Sequence, residues 1–302
     1  MPKAKSKLST KSEVELLRAA LAKKSEELEL VKREMATLNS QIEGLIGGFE
    51  DQLRATQAIY GMLVPTHLPN VPGFKMSSKF RASDNRGGDY FDVFDLGSKF
   101  KFCVFMSSAP GHGASALLLS VLFRLYGEKE FKKASAPEKA LSALLASIEQ
   151  EWAASGEGLM HIAYAEIDRR SFLVRLASVG GIYVAAWREE EKQLEVLSVA
   201  DENEGGLQKI STKSVQLRPL DRLILCSRGV VEQVGSDGQM FGMQRINEIL
   251  ADSRLLGSGP HEVRNEILFQ LEEFAESEKP TRDQTVIVME VESKSLRLAP
   301  TQ

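Results

Sequence analysis

The sequence predicts an α+β protein in which antiparallel sheets are covered by helices, with a long helix ahead of them. Nine apolar segments have the length of strands, and most are joined by short connections, which favours antiparallel pairing over a doubly wound sheet. Between residues 12 and 64 the apolar residues instead recur every 3.5 positions, which is typical of a coiled coil. With 43% hydrophobic and 26% charged residues, the composition is that of an ordinary globular protein.

The N-terminal part predicts a dimerisation helix. Residues 1–11 are basic and Ser-rich and are expected to form a disordered tail. From Val14 onward, the a and d positions of about seven heptads are apolar apart from Lys24, Gln52 and Thr56. Because so long an apolar seam needs a partner helix, we expect residues 12–64 to form a homodimer. A parallel pair is favoured over a helix that folds back on its own domain.

The Pro-rich segment at residues 64–74 ends this helix and marks a domain boundary. The domain that follows is expected to cover residues 65–293, with a tail at 294–302. Its helices are predicted near 113–128, 136–152, 242–252 and 260–277. Its strands are predicted in FKMSSKFRA, YFDVFDL, KFKFCVFM, GLMHIAYAEID, FLVRLASV, IYVAAWR, LEVLSV, RLILCS and QTVIVMEV.

Charge and hydropathy exclude several classes of function. The net charge of −4 gives no support for nucleic-acid binding. No apolar run approaches the roughly 18 residues that span a bilayer, and no secretory signal opens the chain, so we expect a cytoplasmic protein without membrane insertion. Cys103 and Cys226 lie in apolar strand segments and are expected to be buried and reduced; no Cys/His spacing suggests zinc.

Four segments carry a resemblance to a known family. They are RGGDYFDVFD (86–95), APGHGASALL (109–118), LILCSRGVVEQVGSDGQMFG (223–242) and KPTRDQTVIVMEV (280–292). In this order and spacing the chain resembles the SpoIIE/RsbU-like branch of the PPM-type metal-dependent serine/threonine phosphatases over roughly residues 60–293. The resemblance implies an αββα sandwich, in which two antiparallel sheets lie face to face between layers of helices.

The resemblance also implies a metal site, with two Mn²⁺ or Mg²⁺ ions held by a cluster of aspartates between the sheets. The first acid of that cluster matches Asp89, and Gly88 before it could offer a carbonyl. The other three family acids fall on Ser108, Arg228 and Arg282. The glycine-histidine-glycine turn (Gly111, His112, Gly113) is retained and is interpreted as a structural turn that joins a strand to its helix.

These replacements predict that the usual metals do not bind, because the formal charge of the site changes from about −4 to about +1. Asp283, next to Arg282, is expected to point to the other face of its strand. Arg228 and Arg282 are expected to pair with Asp89 in the vacated pocket, or to bind phosphate groups.

The sequence therefore predicts a catalytically inactive pseudophosphatase without a cofactor. It would act as a dimeric signalling or protein-binding module in bacterial regulation. Its partner would be an unidentified regulatory protein, which would be phosphorylated if the two arginines bind phosphate groups. The alternative is an active phosphatase with a remodelled Mn²⁺ or Mg²⁺ site that uses Asp89, Asp92 and Asp283, with Gly88 as a further ligand. Its substrate would be a phosphorylated regulatory protein such as an anti-sigma-factor antagonist.

Overall fold

The computed structural model describes residues 18, 21, 23–41, 44, 68–83, 88–108, 114–155, 160–198, 209–255, 257–276, 280 and 282–293. The chain divides into two units, Met1–Ala55 and Thr56–Gln302. The predicted tails at 1–11 and 294–302, the end of the predicted helix at 45–64 and residues 65–67 of the domain boundary lie outside the described residues. Among the helices within the described ranges, none is both long and apolar enough to cross a membrane.

In the first unit, residues 23–41 form a helix, α1. The described apolar side chains at the predicted heptad positions of this unit are all more than half exposed in the single chain: Leu21, Leu28, Val31, Met35 and Leu38. Two exposed Lys–Glu pairs three residues apart, Lys24 with Glu27 and Lys32 with Glu29, lie on the helix surface. The predicted pairing with a second helix stays a prediction.

The second unit contains two five-stranded antiparallel sheets. The first sheet has the order β1-β10-β9-β6-β7, and the second has the order β2-β3-β4-β5-β8. The strands are β1 (Phe74–Arg81), β2 (Asp89–Ser98), β3 (Lys101–Ser108), β4 (His161–Asp168), β5 (Leu173–Val179), β6 (Tyr183–Arg188), β7 (Gln193–Ser198), β8 (Ser211–Gln216), β9 (Arg222–Cys226) and β10 (Gln284–Val291).

Helices cover the outer face of each sheet. The second sheet carries α2 (Ala114–Lys133) and α3 (Pro137–Ser155), and the first sheet carries α4 (Arg228–Val231), α5 (Gly242–Ala251) and α6 (Pro260–Ala275). A single turn of 3₁₀-helix, Ser253–Leu255, separates α5 from α6. All four helices predicted in this unit are found, and α2 continues for about another turn beyond its predicted end.

Three apolar layers hold these elements together. Inward-facing residues of both sheets, such as Val104, Leu176, Leu225 and Met289, form the central layer between the sheets. A second layer lies between the second sheet and its helices, where Phe131 makes edge contacts with Phe94 and Tyr164. The third layer lies between the first sheet and its helices. The predicted fold, two antiparallel sheets between helices, is confirmed.

The two cysteines are buried and free, as the sequence predicted. They lie in different apolar layers, Cys103 under the helices of the second sheet and Cys226 under those of the first. Burial raises the pKa of the Cys226 thiol to about 12, so the group stays protonated at neutral pH.

One strand was not predicted. β8 has the sequence STKSVQ, and Val215 is its one buried side chain. It lies at the edge of the second sheet and pairs with β5 alone. An edge strand with a solvated face carries little apolar patterning, so the signal that found the other nine strands is missing here.

Candidate functional site

The second sheet places three of the site side chains in one row. Asp89 at the start of β2 lies opposite Ser108 at the end of β3, and Ser108 lies opposite His161 at the start of β4. Directly opposed residues share a face, and this face carries the side chains of the central core layer, such as Phe91. Asp89 is therefore directed between the sheets and is 2% exposed.

The first sheet brings the end of β9 to the same place. The Ser227 hydroxyl donates to the Asp283 carbonyl oxygen at 3.1 Å and accepts from the Thr285 N–H at 3.0 Å. The Ser227 N–H donates to the Thr285 carbonyl oxygen at 3.0 Å. These bonds hold the segment that carries Arg228 against the segment that carries Arg282 and Asp283.

The carboxylate of Asp283 joins the two sheets. Oδ1 accepts from the Ser83 N–H at 2.8 Å, and Oδ2 accepts from the N–H groups of Gly88 at 2.9 Å and Asp89 at 3.3 Å. The expectation that Asp283 points away from Asp89 is therefore wrong. Asp283 precedes β10 rather than lying within it, so the alternation of side chains along a strand does not fix its direction.

Asp89 is held by hydroxyl groups. Its Oδ2 accepts from the Thr285 hydroxyl at 2.8 Å, and the hydroxyl groups of Ser108 and Ser227 lie near enough to favour its charged form. Burial, together with the nearby charge of Asp283, raises the pKa of Asp89 to about 7, although the hydroxyl groups partly offset this. Asp283 also has its pKa raised by burial, against the backbone N–H groups that lower it.

Arg228 lies in a separate part of the site. Nε of Arg228 donates to Glu232 at 2.7 Å, and Nη1 lies 2.8 Å from Nε2 of His161. The charge of Arg282 acts on His161 as well, and burial with these two guanidinium groups lowers the pKa of His161 to about 4. The structure thus places Arg228 against His161, and it pairs Arg228 with Glu232 instead of the expected Asp89.

Asp92, included in the alternative metal site, lies on the opposite face of β2. Its carboxylate accepts from the Tyr90 hydroxyl at 2.9 Å and pairs with Arg124 of α2 at 3.1 Å. It therefore faces the helices and cannot reach Asp89 across its own strand. The turn Gly111–His112–Gly113 lies outside the described residues.

The described residues do not fit the two-metal cluster that the fold family implies. Within the described ranges, no three His, Cys, Asp or Glu side chains are grouped so as to hold a metal ion. Of the part of the chain that the structure describes, Asp89 and Asp283 place buried carboxylates at this end, and their oxygens bond to hydroxyl and backbone N–H groups. Two divalent cations require more anionic oxygen than this arrangement offers.

Sequence reasoning missed two contributors to the site. His161 begins a strand segment that was correctly predicted, yet its side chain received no role. The sequence signal that could have indicated a role for His161 is its position as a polar residue at the start of a strongly apolar strand. Ser227 ends the predicted strand RLILCS and received no role either, and its cross-strand bonds depend on a partner more than fifty residues away.

A sandwich of two five-stranded antiparallel sheets between helices, with buried acids at one end, is the fold of the PPM (PP2C-type) phosphatases. The SiaA-PP2C domain of Pseudomonas aeruginosa superposes with a TM-score of 0.63 and 18% identity, covering 80% of this chain and 96% of that one. The RsbU and RsbW domains of Rv1364c from Mycobacterium tuberculosis give a TM-score of 0.59 at 16% identity, and the match covers 76% of this chain and 63% of that one. The phosphatase domain of SpoIIE from Bacillus subtilis gives a TM-score of 0.52 at 16% identity, and the match covers 77% of this chain and 99% of that one.

Residues 98–292 match the family described as Stage II sporulation protein E (SpoIIE), and the chain belongs to that family. A search of curated proteins gave no match. The matched range includes Ser108, Arg228 and Arg282 and begins within β2, after Asp89. The chain thus carries a PPM/SpoIIE-like phosphatase domain of the kind found in bacterial regulators.

Gly229 is required by the close approach of α4 to the segment before β10. A Cβ atom at this position would lie 2.1 Å from the Asp283 carbonyl oxygen and 3.0 Å from that of Arg282. We expect G229A to displace Asp283 and lower the free energy of unfolding by about 2 kcal/mol or more. Urea unfolding measures this; G44A, whose Cβ meets nothing within 4 Å, is the matched control. Equal stability of both variants would contradict the packing described.

The raised pKa of Asp89 predicts a pH-dependent penalty. Because the folded chain binds this proton more tightly than the unfolded chain, stability is lost as pH rises from about 4 to about 7. D89N removes the penalty. Relative to wild type it should therefore gain roughly 2–3 kcal/mol between pH 5 and pH 8, measured by denaturation in EDTA. D95N, at the surface of the same strand, should show no such gain, and a pH-independent effect of D89N would be inconsistent with a buried titrating carboxyl.

Proposed function

We propose that this chain is a catalytically inactive member of the SpoIIE family that acts as a dimeric protein-binding module in bacterial regulation. The observation that carries the proposal is the identity of the residues at three predicted acid positions, Ser108, Arg228 and Arg282. Guanidinium groups remain charged at any accessible pH and would repel divalent cations. The hydrogen bonds of Asp89 and Asp283 support the same conclusion. Their carboxylate oxygens accept from Ser83, Gly88 and Thr285 and so join separate segments of the protein.

The proposed partner is a regulatory protein. The partner would bind, without being hydrolysed, at the end of the sandwich that carries Asp89 and Arg228. Both arginines lie at that end, and Arg228 is about a quarter exposed, so an anionic group on the partner has a cation within reach.

A metal titration tests the inactive state. The wild-type chain should show no Mn²⁺-induced rise in Tm and no Mn²⁺-dependent release of phosphate from an aryl phosphate. The triple variant S108D/R228D/R282D should gain Mn²⁺ binding, seen as a shift in Tm of several degrees. The matched variant S108N/R228N/R282N places neutral side chains of similar size at these positions and should gain none.

The alternative, an active phosphatase with a remodelled site, is favoured by one observation: the Asp283 carboxylate lies beside Asp89 rather than on the opposite face. It predicts Mn²⁺-dependent phosphate release by the wild-type chain, abolished by D283N. That result would replace the proposal of an inactive domain. If the wild-type chain and D283N show the same background hydrolysis with and without Mn²⁺, the active-phosphatase alternative is wrong.

The dimer is proposed to form through α1. Substituting two predicted seam residues, L28E/M35E, places four carboxylates in the apolar seam of a pair and should dissociate it. The control A36E/S40E adds the same charge at b and f positions, outside the seam. Sedimentation equilibrium should give twice the 33.4 kDa chain mass for wild type and control, and the single-chain mass for L28E/M35E. A monomeric wild type would overturn the proposal.

A further inference from the structure

We propose that His161 and Arg228 form a binding site for a tetrahedral oxyanion of the phosphate type, in which the neutral imidazole and the guanidinium donate to the same ligand oxygen. The inference rests on the proposed function, because it treats this end of the sandwich as a surface that binds without hydrolysing. It adds the chemical class of the ligand and a residue to which the sequence assigned no role.

The tautomer of His161 follows from a backbone contact. The N–H of Gly181 donates to Nδ1 at 2.7 Å. A backbone N–H is always a donor and has a fixed direction, so Nδ1 must present its lone pair. A neutral imidazole carries one proton, and that proton is therefore on Nε2.

The charge state of His161 is consistent with this assignment. Burial, Arg228 and Arg282 lower its pKa to about 4, and Glu232 opposes them only in part. At pH 7 the ring is therefore neutral, and Nε2 is a donor.

Nε2–H and Arg228 then face each other as two donors. Nη1 of Arg228 lies 2.8 Å from Nε2, a distance typical of a hydrogen bond, but a guanidinium has no acceptor. The two N–H groups converge with no lone pair between them. A ligand oxygen that enters beside them accepts from both groups, and a small rotation of the guanidinium admits it.

The surroundings orient Arg228 and favour an anion. Nε of Arg228 is held by Glu232, which also accepts from the Tyr183 hydroxyl at 3.2 Å. Arg282 adds a second positive charge that acts on both His161 and Tyr183. Among the charges that act on His161, those of Arg228 and Arg282 outweigh that of Glu232, which favours an anion beside the ring. Guanidinium groups match phosphate oxygens in geometry and charge, so phosphate, free or esterified to a protein, is the ligand class that fits.

Calorimetry with inorganic phosphate at constant ionic strength tests the site, with chloride as the reference anion. A phosphoserine peptide and its unphosphorylated form then distinguish esterified from free phosphate as the ligand. Phosphate should bind to the wild-type chain, and R228Q should weaken binding about tenfold or more, as expected for a lost bond to a charged group. R254Q, on an exposed arginine paired with Asp252, is the control and should bind as the wild type does.

Two variants of His161 separate its donor role from a structural one. H161N keeps an acceptor for the Gly181 N–H but removes the donor at the Nε2 position, and it should bind about tenfold more weakly. H161Q places an amide N–H near the Nε2 position and should stay within about threefold of wild type. Equal loss in both variants, or none in either, would overturn the role of Nε2–H.

The tautomer is also measured directly by ¹⁵N NMR of the histidine rings. A proton on Nε2 of His161 that moves in frequency on addition of phosphate is the expected result, and a proton on Nδ1 overturns the inference whatever the activity. Release of phosphate from the phosphoserine peptide would instead overturn the proposed inactivity, while binding dependent on Arg228 and His161 would still support the oxyanion site.

Discussion

The carboxylate of Asp283 is the contact on which the arrangement of the site depends. It is almost wholly buried, and it accepts three backbone N–H bonds from Ser83, Gly88 and Asp89. These donors come from the end of β1 and the start of β2, which belong to different sheets, so one side chain ties the sheets together at this end of the sandwich. A buried carboxylate is costly without such partners, and backbone donors satisfy it without adding another ionisable group.

A consequence of this contact is the separation of opposite charges. Asp89 and Asp283 are surrounded by hydroxyl and backbone N–H groups, whereas Arg228 is held by Glu232 and lies against His161. A buried ion pair between Asp89 and an arginine would have required both groups to lose their hydration. Arg228 is instead paired where it remains about a quarter exposed, and its guanidinium keeps access to a ligand.

The sequence predicted most of the fold because nine of the ten strands carry apolar patterning, and the four longer helices of the domain are bounded by clear polar or glycine-containing turns. β8 escaped because its face is solvated. The site was harder to predict for a different reason. The motifs were enough to predict which residues stand at the family acid positions, namely Ser108, Arg228 and Arg282. The direction of the Asp283 side chain, however, depends on its place just before β10. The partners of Arg228 depend on a histidine of the other sheet. Such contacts are set by tertiary packing, which no local pattern encodes.

The cross-strand register explains why the residue at position 108 affects the carboxyl group of Asp89. Asp89 and Ser108 are directly opposed across β2 and β3, and the Ser108 hydroxyl lowers the pKa of the Asp89 carboxyl group, which burial raises. An aspartate at position 108 would set two carboxylates against each other, with Asp283 as a third negative charge nearby. At an effective dielectric of 20 and about 5 Å, each such pair costs roughly 3 kcal/mol. Serine places a hydroxyl group there instead, which lowers the pKa of Asp89 against the effect of burial, so the hydroxyl at position 108 and the N–H donors around Asp283 both favour the two buried acids.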